Sequence, residues 1–296
     1  MSLTEEMVAK IRSLGRAINP PPVFELYAPI LAKQPKDGVT VTSDLRYGPH
    51  ERNVLDVYAP AKGAGKAPVL VFFHGGAWHV GDKIDMENVG YCFARAGIVT
   101  VAPSYRLAPE AKWPACTEDA AAAMNWVRGH IAEYGGNTDR IFLGGHSAGA
   151  QIAADYGLRK RFQPAGGAGL AGLLLLGGVY DVELETMAAK GAFAESDPTD
   201  FDHGYFGTDK SRYREQSVAM NIDVPKLPVF MAYAEREPVH IHVQNGEMFA
   251  NIARAFGEAP ALEIVEGHNH ISTIQCLNTG DESFSRPMEA FIRSHS

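Results

Sequence analysis

The most restrictive stretch of this chain is Arg140-Ile-Phe-Leu-Gly144, followed without a gap by Gly145-His146-Ser147-Ala148-Gly149 and then by the apolar run from Ala148 to Arg159. The first part reads as a buried strand and the last as a helix, so the serine falls in the sharp turn between them. Two small glycines leave room for a strained bend that lifts a hydroxyl above the sheet. The helix N-terminus that follows favours the negative charge that develops on a carbonyl oxygen during acyl transfer. A serine in a plain glycine-rich turn is the bland alternative, and the strand-to-helix context argues against it.

The rest of the chain fits a sheet that could present such a turn. Pro68–Phe73, Ile98–Ala102, Leu173–Leu176, Pro228–Tyr233 and Ala261–Val265 are apolar runs of strand length. Helical stretches intervene around 86–96, 114–134 and 245–256, and Pro287–Ser294 closes the chain as a helix. Alternation of this kind predicts an α/β fold with a mostly parallel sheet and helices on both faces. Val39–Tyr47 and Arg52–Tyr58 alternate apolar and polar residues, as a hairpin at a sheet edge does. Residues 1–35 suggest helices broken at Pro20-Pro21-Pro22, and 181–224 interrupts the rhythm as an insertion. Both are expected to cap the active face of a single domain spanning 1–296.

His74-Gly75-Gly76-Ala77-Trp78 follows the strand that ends at Phe73. Its small residues let the N–H groups of Gly75 and Gly76 point at a carbonyl oxygen, with Ala148 N–H as a third donor. Trp78 is expected to line the acyl or alcohol pocket beside them, and Tyr180 and Asp181 are placed for substrate contact. Core packing is the alternative for all three.

Together HGGAW, SYRLAPE (Ser104–Glu110) and GGHSAGA (Gly144–Ala150) resemble the esterase branch of the α/β-hydrolases related to hormone-sensitive lipase. GHSAG, in place of the GDSAG common in that branch, looks closer to kynurenine formamidases and bacterial feruloyl-esterase-like relatives. The resemblance runs from about Asp44 to the C-terminus and leaves out the opening and the insertion. It implies an α/β-hydrolase fold, a Ser–acid–His triad in that chain order, cytoplasmic esterase or amidase activity and no cofactor. Relatives carry Asp-Pro where this chain has Glu237-Pro238, which nominates Glu237 as the acid, with Glu235 as the runner-up. They also carry His followed by an apolar residue and Ser, which selects His270, although a Gly-His reading selects His268 as base. With His270 as base, His268 becomes a rim residue.

Two His-x-His pairs, His240/His242 and His268/His270, invite a metal reading. The triad already explains His270, so no metal is expected. A formal charge of -8 with no Lys/Arg run excludes a nucleic-acid footprint or a polybasic membrane anchor. Three scattered cysteines, Cys92, Cys116 and Cys276, form no CxxC pair and point to reduced thiols, with Cys116 and Cys276 inert and buried. The first fifteen residues mix charge with apolar residues and lack a signal-peptide core, and no apolar run reaches bilayer length. The expected ligand is a small-molecule ester or amide, with self-association left open. Carboxylesterase is favoured over arylformamidase, and a dead hydrolase serving as a receptor is the alternative from another class.

Overall fold

The computed structural model describes residues 5–61, 65–189 and 201–295. Two helices, α1 (Glu5–Ser13) and α2 (Pro20–Leu31), precede a hairpin of β1 (Val39–Arg46) and β2 (Val54–Pro60). The three prolines expected to break a helix instead open α2, because a missing N–H costs nothing in a first turn and φ is already set. Then come β3 (Ala67–Phe73), α3 (Glu87–Arg95), β4 (Val99–Pro103), α4 (Ala115–His130), β5 (Gly136–His146), α5 (Ala148–Leu158) and β6 (Gly172–Leu176). After α6 (Val182–Ala189), α7 (Phe201–Phe206) and α8 (Tyr213–Gln216), the chain returns to the sheet through β7 (Val229–Arg236), α9 (Val239–Phe256) and β8 (Ala261–Asn269). It ends with α10 (Ser272–Gln275) and α11 (Ser285–Ser294).

The eight strands form one sheet in the order β1-β2-β4-β3-β5-β6-β7-β8. The β1–β2 and β2–β4 pairings are antiparallel, and the six strands from β4 to β8 run parallel. The hairpin expected at an edge lies there. Successive residues of β3 divide between two cores. Val69, Val71 and Phe73 join Met124 of α4, Ile152 of α5 and Met248 of α9, while Leu70 and Phe72 join Val23 of α2, Phe93 of α3 and Met288 of α11. A strand clothed on both sides has no need to alternate polar with apolar residues, which is why the sequence of β3 is continuously apolar.

The insertion folds as short helical turns, with residues 190–200 of it outside the described residues. Helix α9 begins at Val239, six residues before the expected start at Asn245, which moves His240 and His242 from a supposed strand-like loop onto a helix. No helix among the described residues is long and apolar enough to cross a membrane.

Candidate active site

The turn after β5 is as tight as its sequence demands. Ser147 has φ 55° and ψ -122°, a conformation that costs a non-glycine residue about 1–3 kcal/mol and persists only where the surroundings enforce it. Enforcement comes from three directions. Ser147 N–H donates to Leu176 O at 2.9 Å, and its carbonyl accepts from Ala150 N–H at 3.0 Å. A Cβ on Gly145 would lie 2.3 Å from Gly149 C, and one on Gly149 would lie 2.2 Å from Phe73 O. The glycines thus let α5 start directly against the ends of β3 and β5. Ser147 itself is half-buried and lines a cavity of about 710 Å³.

The loop after β3 forms the facing wall. Gly76, Ala77 and Trp78 have φ of 112°, 50° and 62°, a left-handed run that coils the chain back on itself. A Cβ on Gly75 would stand 3.2 Å from Ser147 Cβ, so this backbone abuts the Ser147 turn. Gly75, Gly76 and Ala148 all line the cavity. The Ser104–Glu110 segment is a brace for this loop. Tyr105 Oη donates to His74 O at 3.0 Å and stacks on the His74 ring at 4.2 Å between centroids. His74 Nδ1–H donates to Gly75 O at 2.6 Å, and burial lowers its pKa to about 4, keeping it neutral.

The acid and base expected from the sequence meet. Glu237 Oε2 accepts from His270 Nδ1–H at 2.6 Å, and both side chains are buried. That bond commits Nδ1, so Nε2 is the nitrogen left to serve a serine. Nε2 has no hydrogen-bond partner among the described residues, and His270 lines the same cavity as Ser147. Behind it, His146 Nε2–H donates to His270 O at 2.9 Å with the two rings 4.5 Å apart. Burial, helped by the neighbouring His270, pushes His146 well below the ordinary histidine range.

The runner-up residues hold the loops instead. Glu235 Oε2 accepts from Gly267 N–H at 2.9 Å, tying the end of β7, just before Glu237, to β8, just before His270. His268 is fully buried, which corrects the expectation of a rim position: Nδ1 meets Ser272 Oγ at 3.0 Å and Nε2 meets Asp281 at 3.2 Å. His268 lies within β8 and His270 just past its end, so strand alternation does not set which way His270 points.

Trp78 lines the cavity and is also packed, stacking on Tyr205 and donating to Gln151 Oε1 at 3.1 Å. Tyr180 is corrected to a core residue. Its hydroxyl tucks against Gly178, where a Cβ would meet it at 2.3 Å, and it does not line the cavity. Asp181 does not line it either; its carboxylate accepts from Glu183 and Leu184 N–H as a cap for α6. The cavity walls also include Ile18, Phe24 and Leu31 from the opening segment and Glu185 and Ala188 from the insertion.

Sequence reasoning missed a buried network under Trp78. Gln151 passes the bond to Asp155, which also accepts from Trp113 and Thr117 and pairs with Arg159 at 2.9 Å. The signal was present as Gln151, Asp155 and Arg159 at four-residue spacing, the first two on an otherwise largely apolar helix and the third just past its C-terminal end.

On α9, His240 and His242 are two positions apart and project about 200° from each other, so they form no common ligand set. His240 faces Glu185 and the cavity, while His242 meets Tyr233 edge-on. The ligating atoms of His268, Cys276 and Asp281 lie within 4.8 Å of one another, but each is committed to the protein, Cys276 Sγ–H donating to Thr273 O. Burial raises the thiols of Cys116 and Cys276, which keeps them protonated and unreactive.

A sheet of this order, with a serine bend after β5, an acid after β7 and a histidine after β8, defines an α/β-hydrolase. Residues 70–273 match the model of an alpha/beta hydrolase fold family, and the chain belongs to that family. It is 29% identical over 251 residues to the carboxylesterase NlhH of Mycobacterium tuberculosis, covering 80% of this chain and 77% of that protein. It is 38% identical over 114 residues to the isoprenylcysteine alpha-carbonyl methylesterase ICME of Arabidopsis thaliana, covering 38% of this chain. The chain spans about a quarter of the length of the curated methylesterases it matches. Among solved structures, a bacterial heroin esterase superposes with a TM-score of 0.77 at 22% identity, covering 98% of this chain and 97% of that one.

Proposed function

We propose that this protein is a serine hydrolase that cleaves short-chain or aryl carboxylic esters through an acyl-enzyme on Ser147. The observation that carries the reading is the buried 2.6 Å bond between Glu237 and His270 Nδ1, with Nε2 unpartnered among the described residues and beside the cavity that Ser147 lines. Family membership and the carboxylesterase and methylesterase names of its relatives support it.

In this mechanism Ser147 Oγ attacks the ester carbonyl carbon while His270 Nε2 takes its proton. The N–H groups of Gly75, Gly76 and Ala148 stabilise the oxyanion, one such donor being worth about 3 kcal/mol of barrier. Glu237 stabilises the imidazolium and fixes the tautomer. Collapse of the tetrahedral adduct expels the alcohol, which takes the proton from His270. Water then gives a proton to the same nitrogen and attacks the acyl carbon; the acid leaves and Ser147 regains its hydrogen.

Ser147→Ala is expected to abolish turnover of p-nitrophenyl acetate while the unfolding transition stays native. Turnover retained in that variant refutes the assignment. Formamide hydrolysis would use the same groups, so specificity constants for p-nitrophenyl esters and N-formylkynurenine are to be compared on the wild type. A ratio favouring the ester supports the proposal, a ratio favouring the formamide moves the substrate class, and no turnover of either indicates a receptor.

A further inference from the structure

β7 ends at Arg236, so Glu237 is the first residue past the sheet and its carbonyl lies beyond the strand ladder. That carbonyl, and the carbonyl of Glu235 at the end of β7, face one side chain from the far end of the chain. Arg16 Nη1 lies 3.0 Å from Glu237 O and 3.4 Å from Glu235 O, and 3.3 Å from His242 Nε2 at the start of α9. All three contacts fall on one terminal nitrogen, Nη1, whose two hydrogens serve Glu237 O best, at the shortest distance. Arg236 adds a parallel contact, donating to Arg12 O at 3.4 Å. Residues more than two hundred positions away in sequence therefore close over the back of the acid loop.

The acid loop is thus fixed on both flanks. Glu235 ties it to Gly267 on the base side, and Arg16 ties it to the opening segment. Between the two, Glu237 also donates its N–H to Ala234 O at 3.4 Å and accepts from Ala234 N–H through Oε1 at 3.3 Å, both longer than the 3.0 Å contact from Arg16.

We propose that Arg16 is a positioning residue for the triad: it fixes the backbone of Glu237, and through it the orientation of His270, without touching substrate. Arg16 is not among the residues that line the cavity. The inference rests on the acyl-transfer reading above, since it matters only if the Glu237–His270 pair is the working acid and base. It also makes the opening segment a working part of the centre, beyond any capping role.

The test compares Arg16→Ala, Arg16→Lys and Glu237→Gln with the wild type on p-nitrophenyl acetate. Arg16→Ala is expected to lower kcat roughly ten- to a hundred-fold, the range a small misplacement of a catalytic group produces, with KM within about two-fold. Arg16→Lys should recover part of the loss, since an ammonium can still donate to a carbonyl but lacks the reach and plane of a guanidinium. The low-field proton signal of the His270 Nδ1–H bond should move upfield in Arg16→Ala, which a general loss of stability in a folded sample would not cause. Native kcat and an unmoved proton signal in Arg16→Ala overturn the proposal, as does a loss matched by a fall in the folded fraction. Should Arg16→Ala fail to fold, Arg16→Lys decides: native kcat, or a change in KM alone, overturns it. If Glu237→Gln also keeps full activity, the triad reading itself has failed; if only the Arg16 variants are silent, the clamp alone has.

Discussion

Glu237 and Glu235 have the same side chain two positions apart, and their surroundings give them different work. Glu237 is fully buried against His270, while Glu235 accepts from the backbone of Gly267. Glu237→Gln keeps the size and removes the charge that orients the imidazole. It is expected to lower kcat by about 10⁴-fold, the scale seen when a triad carboxylate becomes an amide. Glu235→Gln should cost far less, and equal losses in steady-state kinetics would contradict the division of roles. Gly149→Ala tests the bend from the other side. Its new Cβ would lie 2.2 Å from a backbone oxygen that cannot move without breaking β3. The variant should lose esterase activity and unfold at lower denaturant than the wild type, and native behaviour in both assays would contradict the packing argument.

At the scale of elements, α5 does two things at once. Its first turn meets Ser147, and its Gln151 and Asp155, with Arg159 just past its end, anchor Trp78 from below. Burial outweighs the hydrogen bonds and Arg159 to raise the pKa of Asp155, so its charge depends on the whole set of partners. Asp155→Asn strands a buried guanidinium and is expected to cost about 3–5 kcal/mol, read as a drop in the denaturation midpoint. A midpoint within experimental scatter of the wild type would show that the network is not holding the helix. Elements of this kind also show what the sequence made legible. The strand–bend–helix at Ser147 was readable because its glycines have no local alternative, and β3 because both its faces are clothed. The start of α9 was not: Pro238-Val-His-Ile-His alternates like a strand, and only packing of Ile241 into the core reveals a helix. Tyr180 was misplaced because position after a strand does not tell which way a ring turns.

The molecule as a whole joins distant parts of the chain at one centre: Ser147 from the middle, Glu237 and His270 from the end, and cavity walls from Ile18 and Phe24 at the start. The topology of the sheet makes this convergence legible, whereas contacts such as Arg16 to the acid loop leave no periodic trace. Acid sensitivity follows from the buried rings. His74 takes a proton near pH 6.5 when unfolded but only near pH 4 when folded. Below 6.5 the unfolded chain therefore binds a proton that the folded chain refuses. Stability is intact above pH 6.5 and falls as pH drops towards 4, by about 3 kcal/mol from this group, with His146 acting in the same direction. Urea midpoints measured from pH 7 to pH 4.5 should fall steadily; a flat profile would contradict neutral burial of these rings. The account stands on an activated hydroxyl at position 147, and mass spectrometry after treatment with a fluorophosphonate tests that most directly. It predicts one adduct, on the peptide containing Ser147, formed quickly in the wild type and lost in His270→Ala. An unmodified Ser147 peptide from folded wild-type protein, or labelling that survives loss of His270 at full rate, would contradict it.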